Sequence, residues 1–342
     1  MKTIEVIDQV ARSLGARVRL TGSASGDRQP AAAVSEPVAG ARFVDAAVGV
    51  GSLTLRVIGR SAGDLDSRAW GVVDAAVHLL ARAHGGDGGR RERVCAALLA
   101  GDATARTDAL WELRSRRWVV APDEPLRVWA VLANGAGEVE QIALGRRLAA
   151  ALPAPTDVVD IVDDAVVLIS PATVDMAACI AAVERETRAH AARPSALATA
   201  DCPPDRDDPL PTIRQALDAA RLRATMPQAL APRAEDLGGW MLVQSVPASP
   251  RLLQLVSPAA HALLTAGDEV QRQTIEAYLD EAGRAPDTCA RLHIHRTTLY
   301  YRLEHMPAAV REALADGLQR STLHLALKTA RLWEARPELA SA

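Results

Sequence analysis

The feature that most constrains this 342-residue chain is a pair of short helical segments near its C-terminal end. The first segment spans 287–292, the second spans 295–305, and the two are separated only by residues 293–294. Pro307 ends the second segment, and the small Ala290 lies where the two helices would cross. Two short helices joined by a turn of three or four residues are typical of a helix-turn-helix. The sequence therefore predicts a helix-turn-helix here.

The second of these helices has two distinct faces. A helix turns by about 100° per residue, so the residues near Leu299 form the predicted inner face. The inner face holds His295, Leu299, Leu303 and Met306, the outer face holds Thr297, Tyr301 and Glu304, and Thr298 and Tyr300 lie on opposite flanks. The preceding helix, predicted over 270–281, would bury Tyr278 on its inner side. The outer face is thus polar and aromatic and is available to a partner.

Duplex DNA is the partner that this pattern favours. A recognition helix meets the major groove with its N-terminal residues, which makes His295, Arg296 and Thr297 candidates for base edges. An arginine can bond guanine O6 and N7 with two hydrogen bonds, and Thr298 and Tyr301 can bond phosphate. Between residues 288 and 303 the chain has three arginines and no acid. The full predicted DNA-binding set is Arg291, His295, Arg296, Thr297, Thr298, Tyr300, Tyr301 and Arg302.

The segment 290–303 reads ARLHIHRTTLYYRL and resembles the C-terminal helix-turn-helix of PucR-type (CdaR-like) bacterial transcription regulators. That family typically carries the run A-x-x-L-x-I-H-R-N-T-L-x-Y-R-L, and segments 273–279 and 323–327 also look like its flanking helices. Thr297 stands where the family usually has Asn. The resemblance implies sequence-specific binding to double-stranded DNA, as a homodimer or higher homo-oligomer, without enzymatic activity.

Upstream of this motif, the chain divides into further regions. The expected fold is therefore multi-domain, with α+β and α/β regions followed by an all-α C-terminal domain. Residues 1–84 are predicted to form a small α/β unit, loosely similar to a GAF-like sensor. Glycine-rich 85–91 is predicted to be a linker, and 241–342 is the helical DNA-binding domain. Residues 92–240 alternate strands with helices, which suggests a sheet covered by helices and resembles a degenerate GGDEF-like domain. Predicted helices are 3–15, 67–83, 94–99, 105–117, 138–152, 174–191 and 210–224, and predicted strands are 17–21, 52–58, 126–133, 158–162 and 165–170.

A hairpin is predicted around Asp163-Asp164, at the place where a GGDEF signature would lie. Here the chain reads Ile161-Val162-Asp163-Asp164-Ala165, and both glycines are absent. A nucleotide cyclase needs the glycine turn so that its backbone can approach phosphate. The region is therefore expected to be non-catalytic, with exposed turn acids rather than a metal site.

Composition limits the remaining possibilities. The four cysteines and the scattered histidines have no metal-ligand spacing, so no metal or other cofactor is expected. A net charge of −3 argues against coating nucleic acid non-specifically. No apolar run is long enough for a membrane span, and the N-terminus lacks an apolar signal-peptide core. We expect a cytoplasmic protein that does not bind membranes.

The leading hypothesis is thus a DNA-binding transcription regulator that acts as a dimer. A small-molecule effector is a further candidate partner. Arg56, Trp70 and His78 are candidates to line its pocket, but we expect a surface arginine and a core tryptophan and histidine at these positions instead. One alternative is an interaction protein whose helix-turn-helix binds another protein, since tyrosines favour such interfaces. The other alternative is an enzyme that makes or degrades a cyclic dinucleotide through Asp163 and Asp164.

Overall fold

The structure, a computed structural model, describes residues 3–22, 42–84, 89–133, 136–188, 196–226, 230–246 and 249–335. The chain forms two compact units. Unit 1 comprises Met1–Ala224 and Ala231–Glu235, and unit 2 comprises Thr225–Leu230 and Asp236–Ala342.

The first part of unit 1 is a three-stranded antiparallel sheet with two helices. Its elements are α1 (Thr3–Leu14), β1 (Arg17–Thr21), β2 (Phe43–Ala47), β3 (Thr54–Ile58) and α2 (Ser67–Ala83). The strand order is β1-β3-β2. The predicted helices and strands in this part are confirmed, but the sequence does not predict β2. Asp45 lies at the centre of that strand and pairs with Arg56 of β3. The strand therefore lacks the regular alternation of apolar and polar residues that would predict it.

The rest of unit 1 is a four-stranded antiparallel sheet with further helices. Its elements are α3 (Arg90–Ala97), α4 (Ala103–Ser115), β4 (Leu126–Leu132), α5 (Glu138–Ala151), β5 (Asp157–Val162), β6 (Ala165–Pro171), α6 (Met176–Arg188), β7 (Ala196–Cys202) and α7 (Leu210–Thr225). The strand order is β5-β6-β4-β7. Helix α3 begins at Arg90, inside the predicted linker, and residues 85–88 of that linker lie outside the described residues.

Two central strands form the middle of this sheet. Every residue of β4 and of β6 is buried, and the indole of Trp129 donates a hydrogen bond to Ser170 Oγ at 2.9 Å. The predicted hairpin is confirmed: β5 and β6 pair through Val162 and Ala165. Asp163 takes the positive φ that the two-residue turn needs, at 55°. The sequence does not predict β7, because its alanines have low strand propensity.

Both parts of unit 1 share one apolar cluster. Val139 and Ile142 of α5 are buried in the same cluster as Val6 and Val10 of α1 and Leu80 of α2. The division between 1–84 and 92–240 stays a prediction. Within unit 1, however, α5 completes the core that the N-terminal helices begin.

Unit 2 consists of helices in the part that the structure describes. They are α8 (Gly239–Gln244), α9 (Pro250–Val256), α10 (Pro258–Ala266), α11 (Glu269–Asp280), α12 (Ala285–Leu292), α13 (Arg296–Glu304), α14 (Ala308–Ala315) and α15 (Gly317–Ala335). Their core contains Leu263, Ile275, Val310, Leu323 and Leu327. The prediction of a helical C-terminal region is confirmed. Across both units, no described helix is long and apolar enough to cross a bilayer.

Candidate nucleic-acid interface

Helices α12 and α13 form the predicted two-helix motif, and a short turn sets their geometry. His293, which follows α12, has φ 53° and ψ 43°, the left-handed conformation that commonly ends a helix. The Ile294 N–H then donates to the Cys289 carbonyl at 3.1 Å. His295 is the N-cap of α13, and its Nδ1 accepts from the Thr297 N–H at 3.4 Å. The sequence prediction of a helix, a tight turn and a second helix is confirmed.

The inner face of α13 agrees with the predicted wheel except at one position. Leu299 is fully buried, Met306 is buried, and Leu303 packs partly buried against the same core. His295 is exposed instead of facing inward. Its extended backbone, with φ −77° and ψ 154°, takes it off the helical wheel. The assignment of His295 to the inner face is therefore wrong.

The opposite face of α13 is open to solvent. Arg296, Thr297, Tyr300 and Tyr301 are exposed, and Tyr301 has 61% of its surface accessible. The Tyr301 ring packs on the His305 ring at a centroid distance of 4.0 Å. Thr298 is half-buried on the flank of the helix. Apart from Arg291 on α12, the exposed side chains of the predicted set thus lie together on the first two turns of α13 and its N-cap.

Two of the three motif arginines have partners inside unit 2. Arg291 donates to Asp280 at 2.9 Å and to Glu281 at 3.2 Å, both at the end of α11. Arg302 is half-buried and donates from Nη1 to the hydroxyl of the buried Thr274 at 3.2 Å. Residues 288–303 contain no acid, but in the folded unit the carboxylates of Asp280 and Glu281 lie next to Arg291.

Arg296 differs from these two arginines. Among the described residues it has no carboxylate partner, and its guanidinium carbon lies 5.2 Å from the centroid of the Tyr300 ring. Its Nη2 also donates to the Tyr300 hydroxyl at 3.3 Å. Like Arg302 it forms no ion pair in the described chain, but Arg291 and Arg302 bond to side chains of α11, whereas Arg296 is held against an exposed tyrosine of its own helix.

Sequence reasoning missed a charged cluster behind the motif, centred on Asp280. His324 Nε2 and Lys328 Nζ of α15 each lie 2.7 Å from Asp280 Oδ1, in addition to the contact with Arg291. Burial raises the pKa of the Asp280 carboxyl, but the hydrogen bonds from His324 and Lys328 and the nearby positive charges together lower it by more than burial raises it. The pKa of Asp280 is therefore well below its ordinary value. One signal was visible: Lys328 is one of only two lysines in a chain with 39 lysines and arginines.

Tyr278 is also placed differently from the prediction. It is half-buried on α11 rather than part of the core. Its hydroxyl lies near Gly283, 3.4 Å from the point where a Cβ would stand. A Cβ there would be in ordinary contact, but Gly283 has φ 77°, so the conformation of this turn between α11 and α12 favours glycine.

The other candidate sites lie in unit 1. Asp163 pairs with Arg221, and the Asp164 carbonyl accepts from Ala133 N–H at 3.3 Å. Within the described residues, no group of three or more His, Cys, Asp or Glu side chains is arranged to hold a metal ion. Asp163 and Asp164 form the turn between β5 and β6.

Unit 1 also has a cavity of about 680 Å³ between α2, α3, α5 and β5. His78 lines it, together with the ion pairs Arg82–Asp160 and Arg91–Asp157. Burial lowers the pKa of His78, which favours its neutral form. Of the other two pocket candidates, Arg56 pairs with Asp45 at 2.7 Å, and Trp70 is exposed rather than part of the core.

Comparison with known proteins identifies the C-terminal motif. Residues 271–329 match the family model described as the PucR C-terminal helix-turn-helix domain. No curated protein matches the chain. A crystal structure of a regulator of polyketide synthase expression from Bifidobacterium adolescentis is similar over 71% of this chain and 97% of that one, with 13% identity and a TM-score of 0.33. The family match confirms the resemblance of the C-terminal motif, whereas the GAF-like and GGDEF-like resemblances stay predictions.

Proposed function

We propose that this protein is a sequence-specific DNA-binding transcription regulator and that α13 enters the major groove. The observation that carries the proposal is the exposed polar face at the start of α13, within a segment that matches a PucR-type helix-turn-helix domain. Recognition helices contact base edges with these N-terminal residues.

Each side chain in the predicted set has a proposed role. Exposed His295, Arg296 and Thr297 fit base edges, while Thr298 and Tyr301 fit phosphate contacts. Tyr300 supports Arg296. Arg291 and Arg302 fit a different role, because their hydrogen bonds hold α12 and α13 against α11.

The remaining parts of the proposal concern the whole chain. A single module of this kind buries only about 600–1,000 Å² on DNA, so we propose a homodimer on two half-sites. We propose the division 1–84, 85–91, 92–240 and 241–342, with GAF-like and degenerate GGDEF-like upstream domains that have no enzymatic role. The cavity beside His78 is the candidate site for a small-molecule effector.

The test is binding of the full-length protein to duplex DNA from its own or a neighbouring promoter. We expect binding that weakens with salt, and we expect Arg296→Ala to weaken it by about 1–3 kcal/mol if Arg296 contacts a base. Arg311→Ala is the matched control, since Arg311 is an exposed arginine on α14, outside the motif. Salt-independent binding that Arg296→Ala leaves unchanged would refute the proposal.

The exposed Tyr300 and Tyr301 also fit a protein interface, which is the second candidate function. Purified protein that binds no promoter duplex, but forms a stable complex with a protein partner that Tyr301→Ala disrupts, would favour that alternative.

A further inference from the structure

The pair formed by Arg296 and Tyr300 carries an inference that rests on the proposed function and deepens it. The two residues are four positions apart on α13, so their side chains lie one above the other on one side of the helix. The guanidinium both stacks near the ring, at 5.2 Å, and donates to the hydroxyl, at 3.3 Å. Two separate interactions therefore fix where this guanidinium lies.

The stacked guanidinium keeps hydrogen-bonding capacity for a ligand. A guanidinium has five N–H donors in one plane, and stacking on a ring uses none of them. Nη2 carries two hydrogens, of which the Tyr300 hydroxyl accepts one. The second Nη2 hydrogen and those on Nη1 and Nε remain, and a pair of parallel N–H groups matches O6 and N7 of guanine.

The contacts of the three arginines with α11 point to the same residue. Arg291 is held by Asp280 and Glu281, and Arg302 by Thr274. Arg296 is exposed and has no carboxylate partner in the described chain, so no ion pair must break before it meets DNA. A flexible arginine side chain loses conformational entropy when it is ordered on a ligand, and the contact with Tyr300 lowers that cost in advance.

We propose that Tyr300 is a positioning residue that presents the Arg296 guanidinium to one guanine in each operator half-site. Tyr300 itself need not contact a base. The contact of Tyr300 with Arg296 increases the preference of the protein for guanine at that position, and its effect is confined to that base pair.

The experiment is selection of bound sequences from a pool of randomised duplex DNA by the full-length protein. The parent is expected to enrich one G·C pair per half-site, and Arg296→Lys should abolish that preference because an ammonium lacks the bidentate fork. Tyr300→Ala should reduce the preference for guanine at that position by about 3- to 10-fold, the size expected for loss of a cation–π contact. Tyr300→Phe keeps the ring and should have a smaller effect of the same kind.

Controls separate positioning from simple loss of fold. Thermal unfolding should show that the Tyr300 variants remain folded, as expected for a side chain with 42% of its surface exposed. Arg311→Ala should select the same sequence as the parent.

The outcomes are distinct for the two proposals. A parent that selects no sequence refutes the proposed function and this inference together. A parent that selects a sequence while Tyr300→Ala and Tyr300→Phe keep its full guanine preference leaves the function standing and overturns the inference. A base other than guanine at the position lost in Arg296→Lys also overturns it.

Discussion

At the scale of single residues, the Asp280 carboxylate connects three helices of unit 2. It lies at the end of α11 and receives Arg291 from α12 and His324 and Lys328 from α15. Asp280 and Lys328 have side chains that are only 16% and 11% exposed. A charged group with so little exposure to solvent destabilises the folded state unless an opposite charge pairs with it. The Asp280 cluster therefore couples the position of α12 to that of α15.

Replacement of Asp280 by Asn is expected to destabilise unit 2. The change leaves Lys328 without its carboxylate, and loss of one partner of a buried pair costs about 3–5 kcal/mol; partial exposure places the expected loss at about 2–3 kcal/mol. Denaturant unfolding measures it. Asp287→Asn is the matched control, since its ion pair with Arg284 is exposed and should cost less than about 1 kcal/mol. Equal losses in the two variants would contradict a special role for Asp280.

The low pKa of Asp280 predicts that the stability of unit 2 depends on pH. The pKa of Asp280 is lower in the folded protein than the value of about 3.9 expected for an unfolded chain. Its contribution to the free energy of unfolding is thus complete above about pH 5 and is lost as the pH falls through 4 toward the folded pKa. Acid titration of stability should show a smaller loss in Asp280→Asn than in the parent over this range.

At the scale of elements, the turn between α12 and α13 depends on one backbone conformation. His293 has φ 53°, a region in which an L-residue is strained and glycine is not. The turn sets the angle at which α13 leaves α12. His293 is exposed, so its side chain does not have to be kept for packing.

His293→Gly is expected to raise the free energy of unfolding by about 0.5–1 kcal/mol, the balance between relieved strain and the greater entropy of an unfolded glycine. His293→Val should lower it, because a β-branched residue tolerates positive φ poorly. Thermal unfolding compares the two variants. The same sign of change in both would show that backbone conformation does not govern this turn.

At the scale of the whole molecule, the two units have separate apolar clusters. In unit 1 one cluster draws on α1, α2 and α5 and another surrounds Trp129 and Leu144, while the cluster of unit 2 draws on α9–α11, α14 and α15. In unit 1, Gly145 lets α5 approach β6 closely: a Cβ there would lie 2.6 Å from Val166 Cγ1. Close packing of this kind makes a single added methyl group costly.

Gly145→Ala is expected to destabilise unit 1 by about 1–2 kcal/mol, since overpacking exceeds the gain in helix propensity. Hydrogen exchange should speed up in α5 and β6 and stay unchanged in α11–α13. Asp280→Asn should show the reverse pattern. Faster exchange in both units from either variant would argue against separate cores.

Much of the architecture could be predicted from local patterns. Helix α2 and strand β1 have the predicted bounds, and the hairpin has the predicted two-residue loop at Asp163-Asp164. Strands β2 and β7 could not be predicted, because polar or alanine-rich segments become strands only when a neighbouring strand pairs with them. His295 was misplaced because a helical wheel does not describe an N-cap.

The sequence by itself determined that residues 287–305 form a helix-turn-helix and which face of α13 is polar, because helical period and turn residues are local properties. Only the tertiary structure decided which arginines remain available to a partner. Arg291 and Arg302 carry the same charge as Arg296, but their partners Asp280 and Thr274 come from α11 and reach them only when the helices pack. Ion pairs depend on distance in space, and the distance in sequence does not reveal it.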